Sequence, residues 1–162
     1  LFCGYVWNKI FKKEIIDTYN LRFDEKTKMN EDLLFCFKYL NNINSAIISD
    51  NVFYKYRIRK SSALNMKINK GNLTSIDVYK YIFENSDLLE VKKLTRLYYL
   101  RSYYKYKKYK EYFDIKLIKD IKEKDYKFFP RKEKIKIIVY KYIPYLKNII
   151  LKFKYLINKP YE

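Results

Sequence analysis

The chain has 162 residues, with 36 Lys and Arg against 18 Asp and Glu, a formal net charge of +18 and no His. The missing imidazole excludes a His general base, a Ser-His-Asp or Cys-His nucleophile and any His-containing zinc site. The length suits one domain or slightly more, at roughly 100–200 residues each, and 49% apolar with 20% aromatic residues suffices for a core.

The chain opens in mid-pattern at Leu1, without an initiator Met, so a fragment of a longer protein is expected. Leu1-Phe2-Cys3-Gly4 leads into a mixed amphipathic stretch and not a basic segment followed by an apolar core, so no secretory signal is read here. Lys12-Lys13-Glu14-Ile15-Ile16 reads as a short helix, then a turn through Tyr19-Asn20 and an extended Leu21-Arg22-Phe23. A loop over Asp24 to Met29 precedes Asn30, a residue suited to an N-cap, and a helix over Glu31–Leu40 whose buried stripe is Leu33, Leu34, Phe37 and Leu40. Cys3 and Cys36 have no CxxC partner and read as small buried hydrophobes in a reducing compartment.

Ala46-Ile47-Ile48 reads as a short strand and Asp50-Asn51 as a turn. Residues 52–59 alternate with period two: Val52, Tyr54, Tyr56 and Ile58 on one face, Phe53, Lys55, Arg57 and Arg59 on the other. Composition then changes near residue 75. Residues 1–75 have a net charge of +6 and both glycines; residues 76–162 have +12 and 15 of the 20 tyrosines, with a helical period almost throughout. Thr74-Ser75-Ile76-Asp77 is a capping signal for a helix through Tyr79, Ile82 and Phe83, and Ser86-Asp87 starts a second one. The last stretch places Ile135, Ile138, Val139, Tyr142, Leu146, Ile149 and Ile150 on one side, with a kink at Pro144. No apolar run reaches the ~18 residues of a membrane-spanning helix.

Two groups of residues suggest chemistry. Glu31 and Asp32 stand at a helix start, where free amides and the dipole favour an ionised carboxylate that can act as a base; acids there also serve simply to complement the dipole. Lys55, Arg57 and Arg59 on one strand face, leading into Lys60-Ser61-Ser62, can hold a diphosphate, or can be an ordinary solvated edge.

The ordered set Gly4-Tyr5-Val6-Trp7-Asn8-Lys9-Ile10-Phe11, Phe23-Asp24-Glu25, Asn30-Glu31-Asp32-Leu33-Leu34-Phe35 and Tyr54-Lys55-Tyr56-Arg57-Ile58-Arg59-Lys60-Ser61-Ser62 resembles the distal half of the catalytic domain of bacterial family-2 glycosyltransferases. The resemblance covers roughly residues 4–75. It implies part of a GT-A Rossmann-like α/β domain in residues 1–75, followed by an all-α basic extension in residues 76–162. It also implies inverting sugar transfer from a nucleotide-sugar donor to a saccharide or lipid-linked acceptor, with Asp32 as catalytic base and Glu31 beside it. Arg57 and Arg59 then neutralise the leaving diphosphate, and Trp7 and Lys9 lie near the acceptor cleft. The family's N-terminal half and its D-x-D ligands for Mn²⁺ or Mg²⁺ are absent from this chain, so the metal is expected from the resemblance alone and turnover is expected to need the missing half.

The basic tail has two explanations. Phe, Tyr, Met, Ile, Asn and Lys, with A/T-rich codons, fill 96 positions and Gly, Ala, Arg and Pro only 13, so coding bias accounts for much of the charge. The other explanation is a polyanionic partner: an anionic membrane, which suits a cytoplasmic enzyme peripheral on the inner face of the cell membrane, or nucleic acid. The alternative to an enzyme is therefore a non-catalytic basic helical module. The Tyr/Lys run at 103–112 can in principle stack bases, but no recognition element gathers the lysines, so nucleic acid is not the first choice.

Overall fold

The computed structural model describes residues 4–55, 57 and 70–142. It contains the α-helices α1 (Lys13–Thr18), α2 (Glu31–Leu40), α3 (Thr74–Asn85), α4 (Leu89–Lys105) and α5 (Arg131–Tyr142), with 3₁₀ turns at Lys70–Leu73, Lys107–Tyr112, Ile115–Leu117 and Glu123–Phe128. The chain separates into two compact units, Leu1–Val78 and Tyr79–Glu162.

No strand forms among the described residues, which overturns the expected α/β Rossmann-like domain. A strand exists only in a ladder that pairs its amides and carbonyls. Residues 21–23, 46–48 and 52–55 meet no such partner among the described residues. Ile47 is 98% exposed, and Ile48, Val52 and Phe53 are nearly as open to solvent. Tyr56, Ile58 and Arg59, the rest of the expected alternating strand, lie outside the described residues.

The first unit is organised by α2. Leu34, Phe35, Cys36, Phe37 and Tyr39 are buried along it. Phe35, Tyr39 and Leu21 form a core against which Val6, Phe11, Ile15, Ile16 and Ile43 pack. Phe11 meets Phe35 and Tyr39 edge-on at 5.4 and 4.9 Å between ring centroids, and Phe23 stacks on Phe35 at 4.6 Å. Such aromatic pairs contribute about 0.5–1.5 kcal/mol each beyond their area. The Lys12 N–H donates to the Tyr39 hydroxyl at 2.9 Å, tying the entry of α1 to α2.

Two expected caps work differently. Asn30 precedes α2 in the left-handed region, at φ 65°, and its side chain makes no capping bond. Asn is favoured there because it tolerates positive φ better than other non-glycine residues. Thr74 begins α3 after a 3₁₀ turn and accepts the N–H groups of Lys28 and Met29 at 3.1 and 3.0 Å, while its own hydroxyl donates to Gly71 O. It anchors the Asp24–Met29 loop and does not cap a helix.

In the second unit α4 packs against α5 and the Glu123–Phe128 turn. Leu97, Tyr99 and Leu100 of α4 are buried, as is Ile137 of α5, at 0% exposure. Ile135 and Ile138, expected on the buried side of the last helix, stand half exposed. The residues from 106 to 130, expected to be helical, run instead through three 3₁₀ turns. Side chains of α4 hold that stretch: the Tyr99 hydroxyl accepts Asp114 N–H at 2.7 Å, and Arg96 Nε donates to Leu117 O at 2.7 Å. Residues beyond Tyr142, including the expected kink at Pro144, lie outside the described residues.

Phe35→Ala removes the ring on which Phe11 and Phe23 rest and is expected to cost ~3–5 kcal/mol. The single Trp, Trp7, belongs to the same unit, so a denaturation midpoint followed by tryptophan fluorescence reads this loss directly.

Candidate functional site

The start of α2 is built from the segment Gly4–Lys9 as well as from the helix itself. Gly4 lies so close to α2 that an added Cβ would fall 2.6 Å from Leu33 Cβ and 2.8 Å from Leu33 Cα. Only a residue without a side chain allows this approach. The Cys36 thiol points at Gly4 O at 3.5 Å and is pushed up to about 11, chiefly by burial, so it is an unreactive thiol and not a nucleophile. Cys3 lies outside the described residues.

Asp32 is half-buried in the first turn of α2. Burial is the main reason its carboxyl lies above its ordinary value, and the neighbouring Glu31 adds to the rise. The Leu33 N–H, donated to Asp32 Oδ1 at 2.8 Å, and the Lys9 cation oppose it. A carboxylate that is poorly hydrated, stays close to a cation and holds its proton more tightly than usual is a stronger base than one in water. Lys9 is placed by donating to Tyr5 O at 2.5 Å and Asn8 Oδ1 at 2.8 Å. Of the expected residues, Lys9 is near enough to Asp32 for its charge to be felt there, as the smallest of the influences on that carboxyl, and Glu31 sits half-buried beside Asp32.

Trp7 is not a core residue. It lies 37% exposed between two tyrosines, with ring centroids 5.3 Å from Tyr5 and 4.9 Å from Tyr54 and planes within 30° of parallel. Tyr54 was not singled out from the sequence as a site residue. The stack joins positions almost fifty apart, and no local pattern signals such a pairing. Arg57 is exposed, with no ion pair to a carboxylate among the described residues, and Arg59 lies outside them.

The donor set for a metal does not assemble. Among the described residues no three His, Cys, Asp or Glu side chains stand close enough to hold an ion, so Glu31 and Asp32 alone do not fit one and no step is routed through it. No helix among the described residues is long and apolar enough to cross a membrane.

Comparison with known proteins finds no matching family model, curated protein or solved structure.

The raised carboxyl of Asp32 has a consequence for stability. The folded state holds its proton more tightly than the unfolded chain, so ionisation opposes folding above that group's folded pKa, and the opposition vanishes where both states are protonated. Asp32→Asn keeps the oxygen that accepts Leu33 N–H. It is expected to raise the unfolding midpoint at pH 7 and to leave it unchanged below about pH 4, in thermal melts taken across that range.

Proposed function

We propose that this chain carries the base-bearing, acceptor-side part of an inverting glycosyltransferase related to family 2, with Asp32 as the general base. The observation that carries the reading is the state of Asp32: half-buried at the start of α2, protonating above its ordinary value, and close to Lys9. In the reaction the Asp32 carboxylate takes the proton of an acceptor hydroxyl. That oxygen then attacks the anomeric carbon in line as the bond to the nucleotide diphosphate breaks. Lys9 favours the ionised form of Asp32, as the smallest of the influences on it. Glu31, one residue away, raises its proton affinity. Arg57 and Arg59 are proposed to take up the negative charge of the leaving diphosphate. The reading rests on the ordered residues of the resemblance and on side-chain chemistry, with no Rossmann-like sheet behind it.

The acceptor proposed is a saccharide or a lipid-linked one, and a peripheral position on an anionic membrane belongs to the same proposal. It draws support from α5, where Ile135 and Ile138 stand half exposed in a segment that also presents Arg131 and Lys132 to solvent. Apolar groups flanked by cations bind anionic interfaces through both terms. Flotation with phosphatidylglycerol vesicles is expected to bring the protein up, and the Ile135→Asp, Ile138→Asp double variant is expected to leave most of it behind.

Activity is tested by supplying radiolabelled sugar nucleotides with Mn²⁺ or Mg²⁺ to the chain, alone and joined to the donor-binding half of a family-2 glycosyltransferase. Transfer or hydrolysis in the joined protein should fall by about 10²-fold or more in Asp32→Asn, in keeping with the loss of a general base, while the variant remains folded. Undiminished turnover in Asp32→Asn removes Asp32 from the mechanism.

A further inference from the structure

The second unit holds a cluster of charged side chains that glycosyl transfer leaves unused. Arg101 and Lys105 are one turn apart on α4, and Glu133 and Lys136 are nearly so on α5, the helix packed against it. Arg101 Nη1 donates to Glu133 Oε2 and Lys136 Nζ to Glu133 Oε1, so both carboxylate oxygens are engaged by these two cations. Burial alone would raise the Glu133 carboxyl, but Lys136 and Arg101 outweigh it and hold it below its ordinary value, fully ionised near neutrality. The third cation, Lys105, has among the described residues only the Tyr106 hydroxyl, at 3.0 Å, and the ring of the same residue, 4.7 Å from its centroid.

Two cations therefore share one carboxylate, a third stands near them without one, and acceptors run short. Arg101 Nε is buried with no hydrogen-bond partner. Burial, then Arg101, then Lys136 push the Lys105 amine down to about 8, and no carboxylate offsets them. Keeping a lysine here weakens the fold at neutral pH, the pattern expected where a side chain is retained for binding and not for stability. What the cluster lacks is an oxyanion with more than two acceptor oxygens. A phosphate group supplies them and can take a charge-assisted bond from each cation, whereas a single carboxylate is already shared. The cluster is reachable from solvent: the side chain of Lys136 is 38% exposed and that of Arg101 21%.

We propose that Arg101, Lys105 and Lys136 form a binding site for the phosphate group of a phosphate-bearing ligand, with the Tyr106 hydroxyl positioning Lys105. The site is independent of the glycosyl-transfer reading. A soluble phosphate monoester and the monoester headgroup of phosphatidic acid present the same group to it.

Calorimetric titration of the full chain with inorganic pyrophosphate at pH 7 tests it. Saturable binding is expected, weakened about tenfold or more by Lys105→Gln and, separately, by Lys136→Gln, the size of a lost charge-assisted bond. Lys108→Gln, which removes the same charge from an exposed position after α4, is expected to change it by less than about twofold, as screened surface charges do. Raising the pH from 7 to 9 carries Lys105 through its titration and discharges it. Arg101 stays charged, Glu133 stays ionised, and burial raises Tyr140 so that it stays neutral. Binding should weaken over that range in the native chain and persist in Lys105→Arg, which keeps its charge. Vesicles containing phosphatidic acid, set against phosphatidylcholine vesicles, identify the source: Lys105-dependent binding to either probe supports the site and says whether the phosphate is soluble or lipid-borne. Saturable binding to neither probe overturns the proposal, and so does a loss in Lys108→Gln as large as in Lys105→Gln, the mark of diffuse charge.

Discussion

The packing of one face of α2 against the aromatic and aliphatic side chains that precede it governs the first unit. Phe35 and Tyr39 are met by Phe11 and Phe23, and the Tyr39 hydroxyl receives the Lys12 amide. With those contacts in place the Gly4–Lys9 segment lies along the start of the helix, where the Gly4 backbone touches Leu33 and Cys36. Asp32 owes its burial and its nearness to Lys9 to that arrangement. A carboxylate at a helix start is ordinarily well solvated and easily ionised. Here the covering segment reverses the usual direction of its shift.

The second unit solves a different problem, the placement of positive charge. About half of its described cations are exposed on helices and turns, and several lie over aromatic faces: Arg96 over Phe83, Arg101 over Tyr98 and Lys110 over Tyr103. Tyrosine suits this role because its ring attracts cations while its hydroxyl bonds to backbone, as Tyr99 does to Asp114. The abundance of both residue types thus acquires a structural use whatever its origin in coding bias. Lys105 too lies against a tyrosine, Tyr106, but burial and neighbouring cations push its amine down.

How much of this was legible in the sequence depended on the range of the interactions. The helices α1 to α4 follow from local periodicity, and Asp32 at a helix start could be read from Asn30-Glu31-Asp32 alone. The strands could not, because alternation along 52–59 describes a surface that fits a sheet and says nothing of whether a neighbouring strand is present. On α5, the stripe containing Ile135 and Ile138 looked buried, yet Ile137 is the residue turned into the core. One step along a helix turns a side chain by about 100°, and a helix rich in both Ile and Lys offers several faces of similar hydropathy. The Trp7 stack on Tyr54 and the Arg101 pair with Glu133 join residues 47 and 32 positions apart. Each such contact is decided by the packing of whole elements.

The stretch from Asn44 to Tyr54 bears on how the protein behaves in solution. It exposes Ile47, Ile48, Val52 and Phe53 and carries a single charged residue, Asp50. Short apolar windows of high β-propensity and low charge are the segments through which chains adhere to one another. The chain as a whole, at +18, repels its copies over distances set by ionic strength. Colloidal stability therefore depends on salt in an unusual sense: dilute buffer keeps the sticky segments apart, and concentrated salt, by screening the cations while strengthening apolar association, brings them together.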